Sequence, residues 1–232
     1  MNAEVGVRLR QAVLVARDLA PVSRQLRAEL GLGEPYADPG VGAFGLHNAV
    51  YAIGDTFLEV VSPIQPDTTA GRYLAKRGDG GYMVIFQLAD LDAARERAAA
   101  LDIRVVWQAD LPDISGTHLH PADTRGAIVS LDRADPPGSW RWGGPDWTGR
   151  EGTGAPGLLR GVTIAVSDPA ATAARWGELL GTGPAEGRLE LDDSYVQFDQ
   201  ADEERLTEIH VEVPGRDETI AIGGARLRLT AS

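Results

Sequence analysis

The chain has 232 residues, 43% hydrophobic and 24% charged, the composition of a soluble globular protein with room for one large domain or two small ones. A formal net charge of -12 argues against nonspecific nucleic-acid binding. The absence of cysteine excludes disulfides, thiolate nucleophiles and thiolate metal sites.

No apolar run approaches the ~18 residues of a membrane span, and "MNAEVGVRLRQ" holds no apolar signal core. A cytoplasmic protein with no membrane partner is therefore expected. From Val13, "VLVARDLAPVSRQLRAELGLG" reads as a strand, an aspartate and a helix with a glycine stop. Val22, Leu26 and Leu30 fall on one face of that helix. "AFGLHNAVYAIG" and "DTFLEVVSP" follow as a hairpin turning at Gly54-Asp55. A short helix in "TAGRYLAKRG" carries Arg72 and Lys76, four residues apart, as an exposed basic face.

The pattern then returns. "VIFQLADLDAARERAAALDIRV" begins at Val84, with Ala94, Ala98 and Leu101 on the buried helix face. The strands "IRVVWQA", "GTHLHPA" and "GAIVSLDR" come after it. It returns again in "VTIAVSDPAATAARWGELLGTG" from Val162, where Trp176 and Leu180 supply bulk, followed by "GRLELDD" and "SYVQFDQ". A fourth opening strand, "EIHVEVPG", leads into "IAIGGARLRLT" with no room for a full helix. Asp18, Asp90 and Asp168, 72 and 78 residues apart, each stand where a helix N-cap belongs. The period exceeds that of solenoids, so paired modules are expected rather than a stacked array. Between the second and third modules, "DPPGSWRWGGPDWTGREGTGAP" reads as an ordered linker. Its Trp140, Trp142 and Trp147 are expected to seat in a seam between domains, with the lining of a ligand pocket as the alternative.

One residue breaks its surroundings. Glu59 stands among Phe57, Leu58, Val60 and Val61, in a run that reads as a strand buried on both faces. It shares a face with Phe57 and Val61. A buried carboxylate is costly unless paired, hydrogen-bonded or bound to metal. Without a cation, burial raises its pKa and suits it to general acid–base work near neutral pH. The plainer reading pairs it with Gln11 across the sheet. Of the four histidines, His118 and His120 share a face if "GTHLHPA" is one strand. Two histidines alone make a weak metal motif. His210 reads as structural filling.

The order and spacing of these modules resemble the vicinal oxygen chelate superfamily, nearest its glyoxalase-like and methylmalonyl-CoA epimerase-like branch. The likeness runs through "LEVVSP", "TTAGRYLAKRGDGGYMVIFQLADLDAARERAAALDIRVV" and "HPADTRGAIVSL". It covers residues 8–133 and, more loosely, 158–232. It implies an α+β fold of paired βαβββ modules forming half-open barrels, one complete pair and a shortened second pair. The domains are then 1–134, a linker at 135–157, and a truncated domain at 158–232. The resemblance also implies a divalent metal held by His, Glu, His and Glu. The matching positions here are Gln11, Glu59, Met83 and Ser130, and only Glu59 is retained. A thioether and a neutral hydroxyl are poor ligands for hard divalent ions. In the second domain the counterparts are Gly161, Gln197 and Glu208. No metal and no cofactor are expected.

Two functions follow from the resemblance. The first is a metal-independent lyase or isomerase acting on a small apolar carbonyl or acyl compound. Glu59 moves a proton, His120 is its catalytic partner, and Gln11, His47, Met83, Ser130 and Phe57 contact the ligand. The second is a non-catalytic, resistance-type protein that sequesters a small molecule. His47 and His120 enter because the family's cavity is bordered by the corresponding strands. The expected partner is a small molecule, and a homodimer is compatible with either reading.

Overall fold

The computed structural model describes residues 6–147, 157–183 and 187–231. The chain opens with β1 (Val7–Val15), α1 (Leu19–Leu30), β2 (Leu46–Ile53), β3 (Thr56–Pro63) and α2 (Thr69–Arg77). The second module is β4 (Gly80–Leu88), α3 (Leu91–Ala100), β5 (Val105–Asp110), β6 (Ile114–Leu119), the short α4 (Pro121–Thr124) and β7 (Ile128–Ala134). The third is β8 (Leu158–Val166), α5 (Pro169–Leu180), β9 (Arg188–Glu190) and β10 (Tyr195–Gln200). Last come β11 (Arg205–Glu212), β12 (Glu218–Ile222) and β13 (Ala225–Thr230), with no helix among the described residues between them.

Local chemistry sets these boundaries. Asp18, Asp90 and Asp168 cap α1, α3 and α5 by accepting the N–H groups of Ala20, Ala93 and Ala171 at 3.1, 2.9 and 3.0 Å. Each bond satisfies one otherwise orphaned donor of a first helical turn. Gly31 ends α1 and Gly181 ends α5 in the left-handed region, at φ 66° and 76°. Val22, Leu26 and Leu30 form the buried face of α1. On α3 the buried face is Leu91, Ala94 and Ala98. Leu101 is the C-cap rather than a face residue. The β2–β3 hairpin turns at Gly54-Asp55, with Gly54 at φ 58°. Arg72 and Lys76 are exposed on α2.

The strands form two open, mixed sheets of seven and six strands, as paired βαβββ modules require. The larger sheet has arms β2-β3-β1 and β4-β7-β6-β5, the smaller β12-β13-β11 and β8-β10-β9. By compactness the chain groups into two units. One takes in the chain up to Arg10, Met83–Arg141 and Arg160–Thr207; the other takes in Gln11–Tyr82, Trp142–Leu159 and the chain from Glu208 on. The second and third modules thus fall in one unit, and the first and fourth in the other.

In the first of these units the core gathers around Trp176 of α5, fully buried. Its ring meets Phe86 and Phe198 edge-on, at centroid distances of 5.9 and 5.2 Å. Its Nε1 donates to the carbonyl of Thr124 at 2.6 Å, so the indole's one polar atom is satisfied. Arg97 Nε donates to Leu179 O at 2.9 Å, tying α3 to α5. Trp140 is also buried, with the Arg10 guanidinium 5.4 Å from its ring centroid.

In the other unit, β3 is buried from Thr56 to Ser62. The β1–β3 pairing is parallel and the β2–β3 pairing antiparallel, which gives β3 a strand on either side. Gln25 Nε2 on α1 donates to Ala221 O at 3.0 Å, and Thr56 Oγ1 accepts the N–H of Leu159 at 2.8 Å. Among the described residues, no helix is long and apolar enough to cross a membrane.

Candidate functional site

Glu59 sits mid-strand on β3, opposite Val13 of β1 and Val50 of β2, and is 6% exposed. Two amides hold its carboxylate. Gln11 Nε2 donates to Oε2 and Asn48 Nδ2 donates to Oε1, both at 2.6 Å. Asn48 is itself oriented by the backbone, because its Oδ1 accepts the N–H of Asp38 at 2.9 Å. Burial pushes the Glu59 pKa up to about 7, against the donors Asn48 and Gln11, which pull it down. The charge of Asp38 adds a smaller upward push.

Strand alternation explains the grouping. Along the hairpin, Asn48, Val50 and Ala52 pair with Val61, Glu59 and Phe57, so all six share one face. Gln11 reaches the same face from β1, where it pairs with Phe57. His47 lies one position off, opposite Ser62 and exposed, on the other face. This corrects the expectation for His47: its neighbour Asn48 makes the contact. Asn48 is the residue missing from the sequence reading, although the Gly54-Asp55 turn fixes a register from which it can be counted.

Phe57 carries no exposed ring surface. It is 0% exposed, and Trp147 meets it edge-on at 5.2 Å. A Cβ on Gly143 would stand 2.3 Å from its ring, so the start of the linker lies directly on Phe57. Its assignment as a ligand contact is corrected accordingly: the ring is filled by the chain's own residues. The linker's later part, 148–156, lies outside the described residues.

The remaining expected residues belong to the other compact unit. Met83 on β4 is 8% exposed and pairs with Ile128. Ser130 on β7 is fully buried, and its Oγ donates to Oδ1 of Asp132. His120 is not on a strand. β6 ends at Leu119, and His120 caps α4, its Nδ1 accepting the N–H of Ala122 at 3.1 Å. Arg104 Nη2 approaches the same nitrogen at 3.2 Å. The shared strand face proposed for His118 and His120 is therefore absent, because Pro121 starts a helix there. The cap occupies Nδ1 of His120, so Nε2 is the nitrogen left for the catalytic role expected of it. His210 on β11 lies 3.0 Å from Glu208, which also holds Arg226.

The residues at the four family metal positions do not fit a divalent ion. Glu59 has an amide N–H on each oxygen, and Gln11 turns Nε2, not an oxygen, toward it. Met83 offers a thioether, and the Ser130 hydroxyl is bonded to Asp132. Among the described residues, no group of three or more His, Cys, Asp or Glu is placed to hold a metal.

Comparison with known proteins agrees with this architecture. The family model described as "Glyoxalase-like domain" matches residues 12–180. No curated protein matches the chain. Among solved structures, a hypothetical protein from Staphylococcus aureus is similar over 97% of this chain and 100% of its own, with a TM-score of 0.66 at 11% identity. A Streptomyces coelicolor methylmalonyl-CoA epimerase in complex with 2-nitronate-propionyl-CoA covers 56% of this chain and 95% of its own, with a TM-score of 0.50 at 24% identity. The methylmalonyl-CoA epimerase of Mycobacterium tuberculosis covers 58% of this chain and 91% of its own, with a TM-score of 0.48 at 20% identity. At 11% and 24% identity, the first two likenesses concern the fold.

Proposed function

The chain belongs to the glyoxalase-like domain family, within the vicinal oxygen chelate superfamily, and from that premise we propose a metal-independent lyase or isomerase in which Glu59 moves the proton. The observation that carries this reading is a buried carboxylate held only by amides, with a pKa of about 7. Such a group is close to half-protonated at neutral pH, where a general base works well in both directions. An ionised carboxylate has about four lone-pair sites. Gln11 and Asn48 occupy two, which leaves capacity for a proton.

The substrate class is a small apolar carbonyl or acyl compound. Glu59 takes the proton from the carbon next to the carbonyl, and the C–H electron pair moves into the carbonyl as an enolate. Return of a proton to the opposite face of that carbon inverts its configuration, which is an isomerisation. Departure of a leaving group from the adjacent carbon completes a lyase reaction. Gln11 and Asn48 position the carboxylate and lower the cost of its charge.

A second reading, sequestration of a small molecule without chemistry, is favoured by one observation: both carboxylate oxygens are already bonded within the protein. The two readings part on Glu59→Gln. Candidate carbonyl compounds are incubated with the protein in deuterated water, and incorporation at the α-carbon is followed by NMR. The enzyme reading expects incorporation with the native protein and its loss in Glu59→Gln, with circular dichroism unchanged. Incorporation that survives the substitution would remove Glu59 from the role. Ligand binding without any incorporation would favour sequestration.

A further inference from the structure

The sheet face that carries Glu59 has a second layer of chain on it. Tyr36 bridges Val50 through backbone bonds of 2.9 and 2.8 Å, and Val50 stands opposite Glu59. Register partners present their side chains to one face, so Tyr36, Val50 and Glu59 form a row. Ala52 and Phe57 form the next row on the same face. The chain from Trp142 to Trp147 crosses this ground. A Cβ on Gly143 would stand 2.3 Å from Cε1 of Phe57, and one on Gly144 would stand 2.6 Å from Cγ of Tyr36. The backbone therefore lies directly on both rings, and Trp147 meets Phe57 edge-on at 5.2 Å. All of these residues belong to one compact unit.

The cover is close, yet little side-chain surface lies beneath it. Gly143 and Gly144 are buried but have no side chain to withdraw, and Gly144 sits at φ 90°, where other residues are strained. Pro145 and Asp146 are exposed, and Trp142 and Trp147 are half-buried. A short segment with a solvated outer side opens at lower cost than the whole domain unfolds. Glu59 is only 6% exposed, so a ligand carbon needs an opening to meet its oxygens.

We propose that residues 142–147 are a displaceable strap, and that a ligand reaches Glu59 only when the strap lifts from Phe57 and Tyr36. When the strap is down, Trp147 takes the apolar ground of Phe57 that a ligand would use, so strap and ligand compete. The proposal rests on Glu59 as the group a ligand must meet, but it concerns access and not turnover. Absence of deuterium incorporation would therefore fail the enzyme reading and leave the strap in place.

Access is read by labelling the full-length protein with a water-soluble carbodiimide and glycine ethyl ester, followed by peptide mass spectrometry. At about pH 6 most Glu59 carboxyls carry the proton. Native Glu59 should react at least about tenfold more slowly than the exposed Asp67 of the same unit. Trp147→Ala should speed Glu59 labelling by about fivefold to tenfold, the ratio expected for a lost edge-on ring pair, and leave Asp67 unchanged. Gly144→Ala, which sets a methyl group against Tyr36, should speed it at least as much. Trp147→Phe, which keeps a ring against Phe57, should stay near the native rate. Asp132, 1% exposed and in the other unit, reports on the fold, and a rise there as well marks an unfolded variant. If Gly144→Ala unfolds, Trp147→Ala decides, because its ring is half-buried. Native Glu59 that reacts as fast as Asp67, or a native rate in the folded Trp147→Ala protein, would overturn the proposal.

Discussion

Asn48 donates Nδ2 to Oε1 of Glu59 at 2.6 Å, and it cannot turn its amide round, because the N–H of Asp38 already donates to its Oδ1. The backbone of one loop thereby fixes a donor on a buried acid two strands into the sheet arm. Burial disfavours the carboxylate and the fixed donor favours it, and the balance falls near neutrality.

Asn48→Ala removes the larger of the two downward influences on Glu59. The Glu59 titration should move above about 7, read from the carboxyl carbon of labelled glutamate by NMR. Stability at neutral pH should fall by about 1.5–3 kcal/mol, the cost of a lost bond to a charged group. Asn48→Asp should move the titration further up, because it adds a like charge. A titration that stays in place would show that Asn48 contributes nothing to it.

Glu59 also predicts a pH dependence of stability. Its folded pKa of about 7 lies above the ordinary 4.5, so the folded state holds the proton more tightly than the unfolded one. The contribution is complete below about 4.5 and is lost as pH rises through about 7. That span corresponds to about 3 kcal/mol. Glu59→Gln, nearly the same in shape, should flatten this slope. Urea denaturation at about pH 5 and about pH 8 measures it, as the native-minus-variant difference. An identical slope in both proteins would place the proton linkage elsewhere.

His118 acts in the opposite sense. Its folded pKa of about 4 lies below the ordinary 6.5, so the unfolded chain binds the proton first. Its contribution is present above about 6.5 and is lost as pH falls through about 4. His118→Gln should therefore reduce the loss of stability between neutral and mildly acidic pH. The imidazole resonances of His118 should remain those of the neutral ring at about pH 5. A ring already protonated there would refute the assignment.

Much of the fold was legible because its signals are local. Asp18, Asp90 and Asp168 cap helices through bonds spanning two or three residues, and Gly54-Asp55 turns a hairpin within itself. Glu59 stood out because its four nearest neighbours are apolar. Asn48 did not, since a polar residue near a strand's start reads as a loop edge until the hairpin register is applied. His120 follows the strand pattern of its neighbours, yet the strand stops at Leu119 because Pro121 opens a helix. Asp132 is hard to read for a different reason. In "VSLDR" nothing marks it as buried; its burial depends on β6 and β5, whose pairing is distant in sequence. The grouping of the first module with the fourth, and the second with the third, is likewise a matter of packing between distant segments.

Trp176 offers the most direct test of that packing. It joins Phe86 of the second module and Phe198 of the third, and its Nε1 holds the carbonyl of Thr124 at the end of α4. Trp176→Ala should cost about 3–5 kcal/mol, because it removes the ring and leaves a cavity. Trp176→Phe keeps most of the ring contact but strips the donor from Thr124 O, at about 1–3 kcal/mol. The gap between the two separates packing from hydrogen bonding, and equilibrium denaturation in urea reads both. If Trp176→Phe were as stable as the native protein, the 2.6 Å bond would contribute little and the stabilisation from Trp176 would come from its ring packing.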